Sequence, residues 1–180
     1  MYFLKRSLRS FYILFLFKFY NGVIAARKLG VVVGEQCRIY SLKFGSEPFL
    51  IRIGNKVTIT SGVTFLTHDG STWLFSDHKG RRYLYRPIKI GDNVFIGVNA
   101  IILPGITIGN NVIVAAGSVI TKSIPSGVIV GGNPAKIIGA YDEYEKKVLI
   151  NYIAHDELDL TCSYEERVIK VSVFDFKDSL

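Results

Sequence analysis

IGNKVTITSGVTFLTHDG (53–70) and, after nineteen intervening residues, IGDNVFIGVNAIILPGITIGNNVIVAAGSVITKSIP (90–125) repeat with a period of six. The first position of successive hexads is Ile, Ile, Phe, Ile, Ile, Ile, Ile, Val and Ile. With 49% of the chain hydrophobic, nine apolar residues in one register would arise by chance about once in six hundred. The fifth position agrees independently, with Val57, Val63, Val94, Ala100, Ile106, Val112, Ser118 and Ile124 all apolar or small. Asp69 alone breaks that series, and it stands beside His68 at the start of the interruption.

Each hexad reads as a short strand followed by a corner, with the first and fifth positions turned inward. Three hexads make one turn of a three-sided coil, and successive coils pair as parallel strands about 4.8 Å apart. Gly54, Gly91, Gly97 and Gly109 recur at the second position, where corners with unusual backbone dihedrals are expected. The fold class is therefore an all-β solenoid, a parallel β-helix whose two end coils need covering.

Working outward, VGEQCR (33–38) reads as a further hexad and YSLKFGSEPFL (40–50) as an irregular loop or partial coil. IPSGVIVGGNPAKIIG (124–139) reads as the last strands followed by a looped exit. DEYEKKVLINYIAH (142–155) suits an amphipathic helix with Tyr144, Val148, Leu149, Tyr152 and Ile153 on one face. ERVIKVSVFDF (166–176) alternates, as a strand or a loosely attached tail would. The expected organisation is an aromatic and basic helix or cap over 1–29, the β-helix over 30–139 with an excursion loop at 71–87, and a C-terminal helix and tail over 140–180.

Three readings fit the first thirty residues: a helix capping the open end of the solenoid, an interfacial helix on an anionic membrane, and a secretory signal ending near Ala25 and Ala26. Their uninterrupted apolar run, Phe11 to Phe17, is far short of the ~20 residues that span a bilayer. The chain carries a net charge of +7, and eight of its 22 basic residues lie in the first 43 positions. No helix-turn-helix, zinc-finger or stacking-aromatic motif accompanies that charge, which argues against nucleic acid. Two separated cysteines, Cys37 and Cys162, give neither a disulfide framework nor metal spacing and suit a reducing compartment.

The hexads, together with THDGSTWLF (67–75) and the closing GGNPAK (131–136), resemble the hexapeptide-repeat acyltransferases. Within them the likeness is to the xenobiotic-acetyltransferase-like branch and the O-acetyltransferases of capsule and O-antigen synthesis. The resemblance implies a left-handed winding, a homotrimer, and acetyl-CoA as acyl donor bound in clefts between neighbouring chains. It also implies a sugar or polysaccharide-precursor acceptor and a cytoplasmic location, with membrane contact through the N-terminal segment as an option. It places the catalytic base on His68, and the coenzyme on Gly97, Ala115, Ala116, Lys122, Pro134 and Lys136.

The residues support the same chemistry. Acyl transfer to a hydroxyl needs a base for its proton, and a neutral imidazole suits this role near neutral pH. Of three histidines, His68, His78 and His155, only His68 lies on a coil; the same count argues against a three-imidazole zinc site. Asp69, at an inward position, is expected either to open the coil or to bond the amides that shape the turn. Asp69, Trp73, Arg81 and Arg82 are the candidates for acceptor binding, with the cationic excursion suited to an anionic group. The small residues at Gly97, Ala115 and Ala116 allow close approach of the coenzyme arm, and one amide there can serve as oxyanion donor. N-acetylation of a nucleotide-linked amino sugar and a non-catalytic scaffold are the alternative functions.

Overall fold

The computed structural model describes residues 2–173. The hexads form three parallel sheets that the chain visits in rotation, one face after another. The first face holds Val32–Val33, Ile51–Ile53, Ile88–Ile90 and Thr107–Ile108. The second holds Arg38–Ile39, Thr58–Ile59, Val94–Ile96, Val112–Val114 and Val128–Gly132, and the third holds Thr64–Phe65, Ile101–Ile102 and Val119–Ile120. Ile90 pairs with Ile108, Ile96 with Val114 and Ile102 with Ile120, each eighteen positions on, so three hexads complete one coil.

The first-position residues from Ile53 to Ile120 are all 3% exposed or less. The fifth-position residues are buried too, apart from Asp69. Together they make one continuous apolar core running through the coils. Burial of apolar area is the main favourable term here, because two- and three-residue strands gain little from their own hydrogen bonds.

The corners differ from the expectation. Gly54, Gly91, Gly97 and Gly109 are not in the left-handed region; the fourth hexad position is, through Lys56, Gly62, Asn93, Asn99, Gly105, Asn111 and Gly117. The second-position glycines answer a steric demand instead. A Cβ on Gly91 would lie 2.3 Å from Asn110 Oδ1 and 2.8 Å from the Gly109 carbonyl carbon, in the next coil. Between the first and second faces those neighbours form a ladder: Asn55 Oδ1 accepts from the Glu35 amide at 2.9 Å, Asp92 Oδ1 from Asn55 at 2.6 Å, Asn110 Oδ1 from Asp92 at 2.8 Å, and Ser126 Oγ from Asn110 at 2.9 Å. Glycine at position two leaves room for the side chain that caps the amide at position three.

Before the coils, α1 (Tyr2–Phe19) leads to α2 (Gly22–Leu29). Asn21 caps α2, its Oδ1 accepting from the Val23 amide at 2.7 Å. Val23 and Ala26 bury against the first coil at Val31, Val33 and Ile39. Ile13 and Leu16 of α1 pack on Ala25. The Arg27 guanidinium ties α2 to the coil by donating to the carbonyl oxygens of Val33 and Gly34, both at 2.8 Å, and to Glu35.

At the other end the structure replaces the expected looped exit by a hairpin. Val128–Gly132 turns at Asn133 and Pro134 and pairs antiparallel with Ala135–Ala140. Next comes α3 (Tyr141–Asn151), which opens a second compact unit from Asp142 onward. In that unit Leu149 and Ile153 of the expected apolar face are exposed. The final segment is a helix, α4 (Tyr164–Val171), rather than a strand. Ser163 Oγ and the Glu166 carboxylate cap each other's amides, and this capping box overrides the alternation of Val168 to Val173. Phe174 to Phe176 lie outside the described residues. No described helix is long and apolar enough to cross a membrane.

Candidate active site

The coil breaks where the third face should turn to the first. Phe65 is buried as a first-position residue, Thr67 is buried although the third position is exposed on most other corners, and the chain then leaves the coil at His68. The excursion is ordered by its own bonds. It runs through a 3₁₀ turn at Gly70–Leu74, pairs Ser76–Asp77 antiparallel with Gly80–Arg81, and returns beside its start. The Arg86 amide donates to Thr67 O at 2.8 Å, the Asp69 amide to Leu84 O at 3.2 Å, and His68 bridges antiparallel to Tyr85.

Asp69 follows both parts of its expectation. It is exposed, because the coil opens there, and its Oδ1 accepts from the Ser71 amide at 2.9 Å and the Ser71 hydroxyl at 2.7 Å. The Ser71 hydroxyl, followed by the Ser71 amide, holds the Asp69 carboxyl below its ordinary range. Asp69 thereby forms the turn that launches the excursion.

His68 has a partner that the periodicity does not reveal. Its Nδ1 lies 2.9 Å from Oε2 of Glu47, and the same oxygen accepts from the Thr67 hydroxyl at 2.6 Å. Burial acts to raise the Glu47 carboxyl, but the bonds from Thr67 and His68, with the charge of His68, outweigh it and leave the group below its ordinary range. An ionised carboxylate only accepts, so in the neutral ring the hydrogen belongs to Nδ1 and Nε2 keeps its lone pair. The Nε2 atom has no partner among the described residues. Glu47 and His68 share a cleft of about 100 Å³ with Asp69, Arg81, Tyr83 and Tyr85. The Tyr85 ring stands edge-on to the imidazole, centroids 6.1 Å apart.

The acceptor candidates separate. Arg81 lines the cleft, its guanidinium 4.9 Å from the Trp73 ring and 4.6 Å from the Tyr83 ring. Arg82 is instead committed to an ion pair with Asp77. Trp73 is 71% exposed, its ring lying against the Arg81 guanidinium rather than in the core.

The coenzyme candidates also separate. Gly97, Ala115 and Ala116 meet at the corner between the second and third faces, where a Cβ on Gly97 would come 2.5 Å from the Ala116 nitrogen. The amides of Gly97 and Ala115 are already spent on the carbonyls of Val114 and Val130. Those of Val98 and Ala116, both exposed, have no acceptor among the described residues. They occupy the third hexad position, the one that the side-chain ladder caps on the neighbouring corner, so this corner presents a row of free donors. Lys122 is elsewhere, on the corner of His68 two coils further along, while Pro134 and Lys136 sit at the turn of the closing hairpin. The histidine and the free amides are thus one face apart: six residues of extended chain, on the order of 15–20 Å.

Known proteins bear out the class of protein that this geometry suggests. The family described as the hexapeptide repeat of succinyl-transferase matches residues 87–122. Protein CapG of Staphylococcus aureus is 59% identical over 128 residues, covering 69% of this chain and 74% of that protein. The galactoside O-acetyltransferase of Escherichia coli is 35% identical over 100 residues, 56% of this chain and 49% of the relative. Among solved structures, a hexapeptide-repeat-containing acetyltransferase from Vibrio cholerae aligns with a TM-score of 0.58 at 25% identity, covering 76% of this chain and 90% of the other. A galactoside acetyltransferase in complex with coenzyme A aligns with a TM-score of 0.52 at 25% identity, covering 82% and 85%. The repeat, the shared fold and the breadth of the CapG match together make this chain a member of the hexapeptide-repeat acetyltransferase family.

Proposed function

We propose that the protein is an acetyl-CoA-dependent O-acetyltransferase that modifies a sugar hydroxyl during synthesis of bacterial surface polysaccharide, with His68 as general base. The observation that carries this reading is the Glu47–His68 pair, which fixes the Nδ1–H tautomer and leaves Nε2 free in an open cleft. Nε2 accepts the acceptor's hydroxyl proton as that oxygen bonds to the thioester carbon. The carbonyl oxygen gains charge, the carbon–sulfur bond then breaks, and the departing thiolate takes the proton back from the imidazolium. Glu47 stabilises the transient cation. Such assistance is worth about 10² to 10⁴ in rate. The donors for the developing oxyanion are the free amides of Val98 and Ala116.

Because His68 and that row of amides lie on different corners, one chain does not bring them into a common cleft. We assign the site to the junction of two chains, His68 from one and the amides from its neighbour, in a left-handed, three-fold assembly. Sugar specificity is supported by the relatives named as galactoside acetyltransferases. An N-acetyltransferase of tetrahydropyridine dicarboxylate from Clostridium perfringens matches at 53% identity, but over only 60 residues and 25% of its length. Calorimetric titration with acetyl-CoA is the first test, and saturable binding near one site per chain is expected. A panel of sugars and amino sugars assayed for thiol release, with His68→Ala as control, then separates O- from N-transfer. No acetyl-CoA binding by folded protein in the millimolar range would refute the reading.

A further inference from the structure

Arg81 is the cation of the cleft whose charge nothing answers. Its Nε is buried without a hydrogen-bond partner, and no described carboxylate pairs with it. The two acids that share the cleft are otherwise engaged, Glu47 with Thr67 and His68, and Asp69 with Ser71. The guanidinium is also held in place. Trp73 and Tyr83 flank it at 4.9 and 4.6 Å, so its plane is fixed by aromatic contact. Tyr83 and Tyr85 stack within 7° of parallel, centroids 6.2 Å apart, and Tyr85 in turn abuts His68. Arg81, Tyr83 and Tyr85 all line the one cleft. An oriented guanidinium with donors unused by any described carboxylate fits a planar or tetrahedral oxyanion better than a neutral hydroxyl, because two of its N–H groups can be satisfied at once. Arg82, held by Asp77, lacks that freedom.

We propose that Arg81 binds an anionic group on the acceptor, a carboxylate or a phosphate, so that the substrate is an acidic or phosphorylated sugar rather than a neutral one. This rests on the reading of the His68 cleft as the acceptor side of an acetyltransferase. The chain's only tryptophan, Trp73, lies against the guanidinium and reports on the site directly. Intrinsic fluorescence is titrated with glucuronate, glucose 6-phosphate and glucose at constant ionic strength, in wild type, Arg81→Gln and Arg81→Lys. A saturable change with the charged sugars, at least about tenfold weaker or absent with glucose and in Arg81→Gln, is expected. Arg81→Lys keeps the charge without the fork and retains a weaker response, which separates loss of the anion site from loss of fold. Glucuronate against glucose 6-phosphate distinguishes carboxylate from phosphate. An equal response to glucose, or an unchanged response in Arg81→Gln, overturns the proposal. Displacement of glucuronate by free CoA also overturns it, because Arg81 would then serve the donor. Calorimetric acetyl-CoA binding is measured on the same samples. Its absence would sink the acetyltransferase reading while leaving the anion site standing, so the two failures are distinguishable.

Discussion

Two inactive variants should restore each other. His68→Ala removes the proposed base from the corner between the third and first faces. Ala116→Trp covers the free amides on the corner between the second and third faces, where Ala116 is exposed and its nitrogen unbonded. Each variant alone is expected to lose activity, His68→Ala by about 10²- to 10⁴-fold. On the proposed inter-chain site, each competent site takes His68 from one chain and the amides from its neighbour, because the two corners are a full face apart. In randomly mixed assemblies of equal amounts, half the histidines are intact and half the amide rows are open, so about one quarter of the sites are whole. Co-expressed variants should therefore show about a quarter of wild-type turnover, measured as thiol release from acetyl-CoA with the best acceptor of the sugar panel. Native mass spectrometry establishes that mixed assemblies are present. Mixed assemblies with no more activity than either variant would refute the inter-chain site, since they would show that histidine and amides act within one chain. A monomeric wild-type enzyme would refute it as well.

Glu47→Gln removes the negative charge that stabilises the imidazolium and no longer dictates the ring tautomer, since an amide can either accept from or donate to Nδ1; kcat is expected to fall about 10²-fold or more, with the acetyl-CoA dissociation constant unchanged by calorimetry. The same substitution tests a stability effect. The Glu47 carboxyl is lowered in the folded protein, so its contribution is present above the unfolded value of about 4.3 and is lost as pH falls through the folded one. Denaturant unfolding should accordingly show the gap between wild type and Glu47→Gln narrowing as pH drops from 6 toward 3; a gap independent of pH would contradict it. Gly91→Ala, whose new Cβ would strike the next coil at Asn110 and Gly109, should cost about 1–3 kcal/mol by chemical denaturation. No loss would show that the coils separate more readily than their ladder implies.

The inward positions were legible because every hexad votes for the same two, and Asp69 was legible as the exception because it breaks a series of apolar residues. The corners were only half legible. Gly-Asn and Gly-Asp at positions two and three look like turn dipeptides, yet the asparagine and aspartate cap amides in the preceding coil and the glycine makes room for them. Pairing across coils is invisible to any window of six. α4 shows the opposite case, where the Ser163–Glu166 cap lies in plain sight and outweighs the alternation that follows it. Glu47 was missed because it belongs to an irregular stretch without period, although it stands about one coil before His68.

That irregular stretch explains where the site is. From the third face to the first, the chain takes six residues between Ile101 and Thr107, but nine between Lys43 and Arg52 and twenty-five between Thr64 and Lys89, all in equivalent register. Two consecutive coils thus carry insertions of three and nineteen residues at one corner. A regular hexad corner can leave backbone amides free, as at Val98 and Ala116, but its inward side chains are core and its few outward ones have no acid behind them. A general base with a half-buried carboxylate behind it therefore needs chain that the repeat does not consume. The shorter insertion contributes Glu47, and the longer one begins beside His68 and returns with Arg81, Tyr83 and Tyr85. Neither insertion suffices alone, since His68 without Glu47 has no fixed tautomer and Glu47 without His68 has no base to orient. Shortening the first insertion should consequently inactivate the enzyme while leaving the core untouched, because Ile51, Ile53 and Phe65 would keep their inward places.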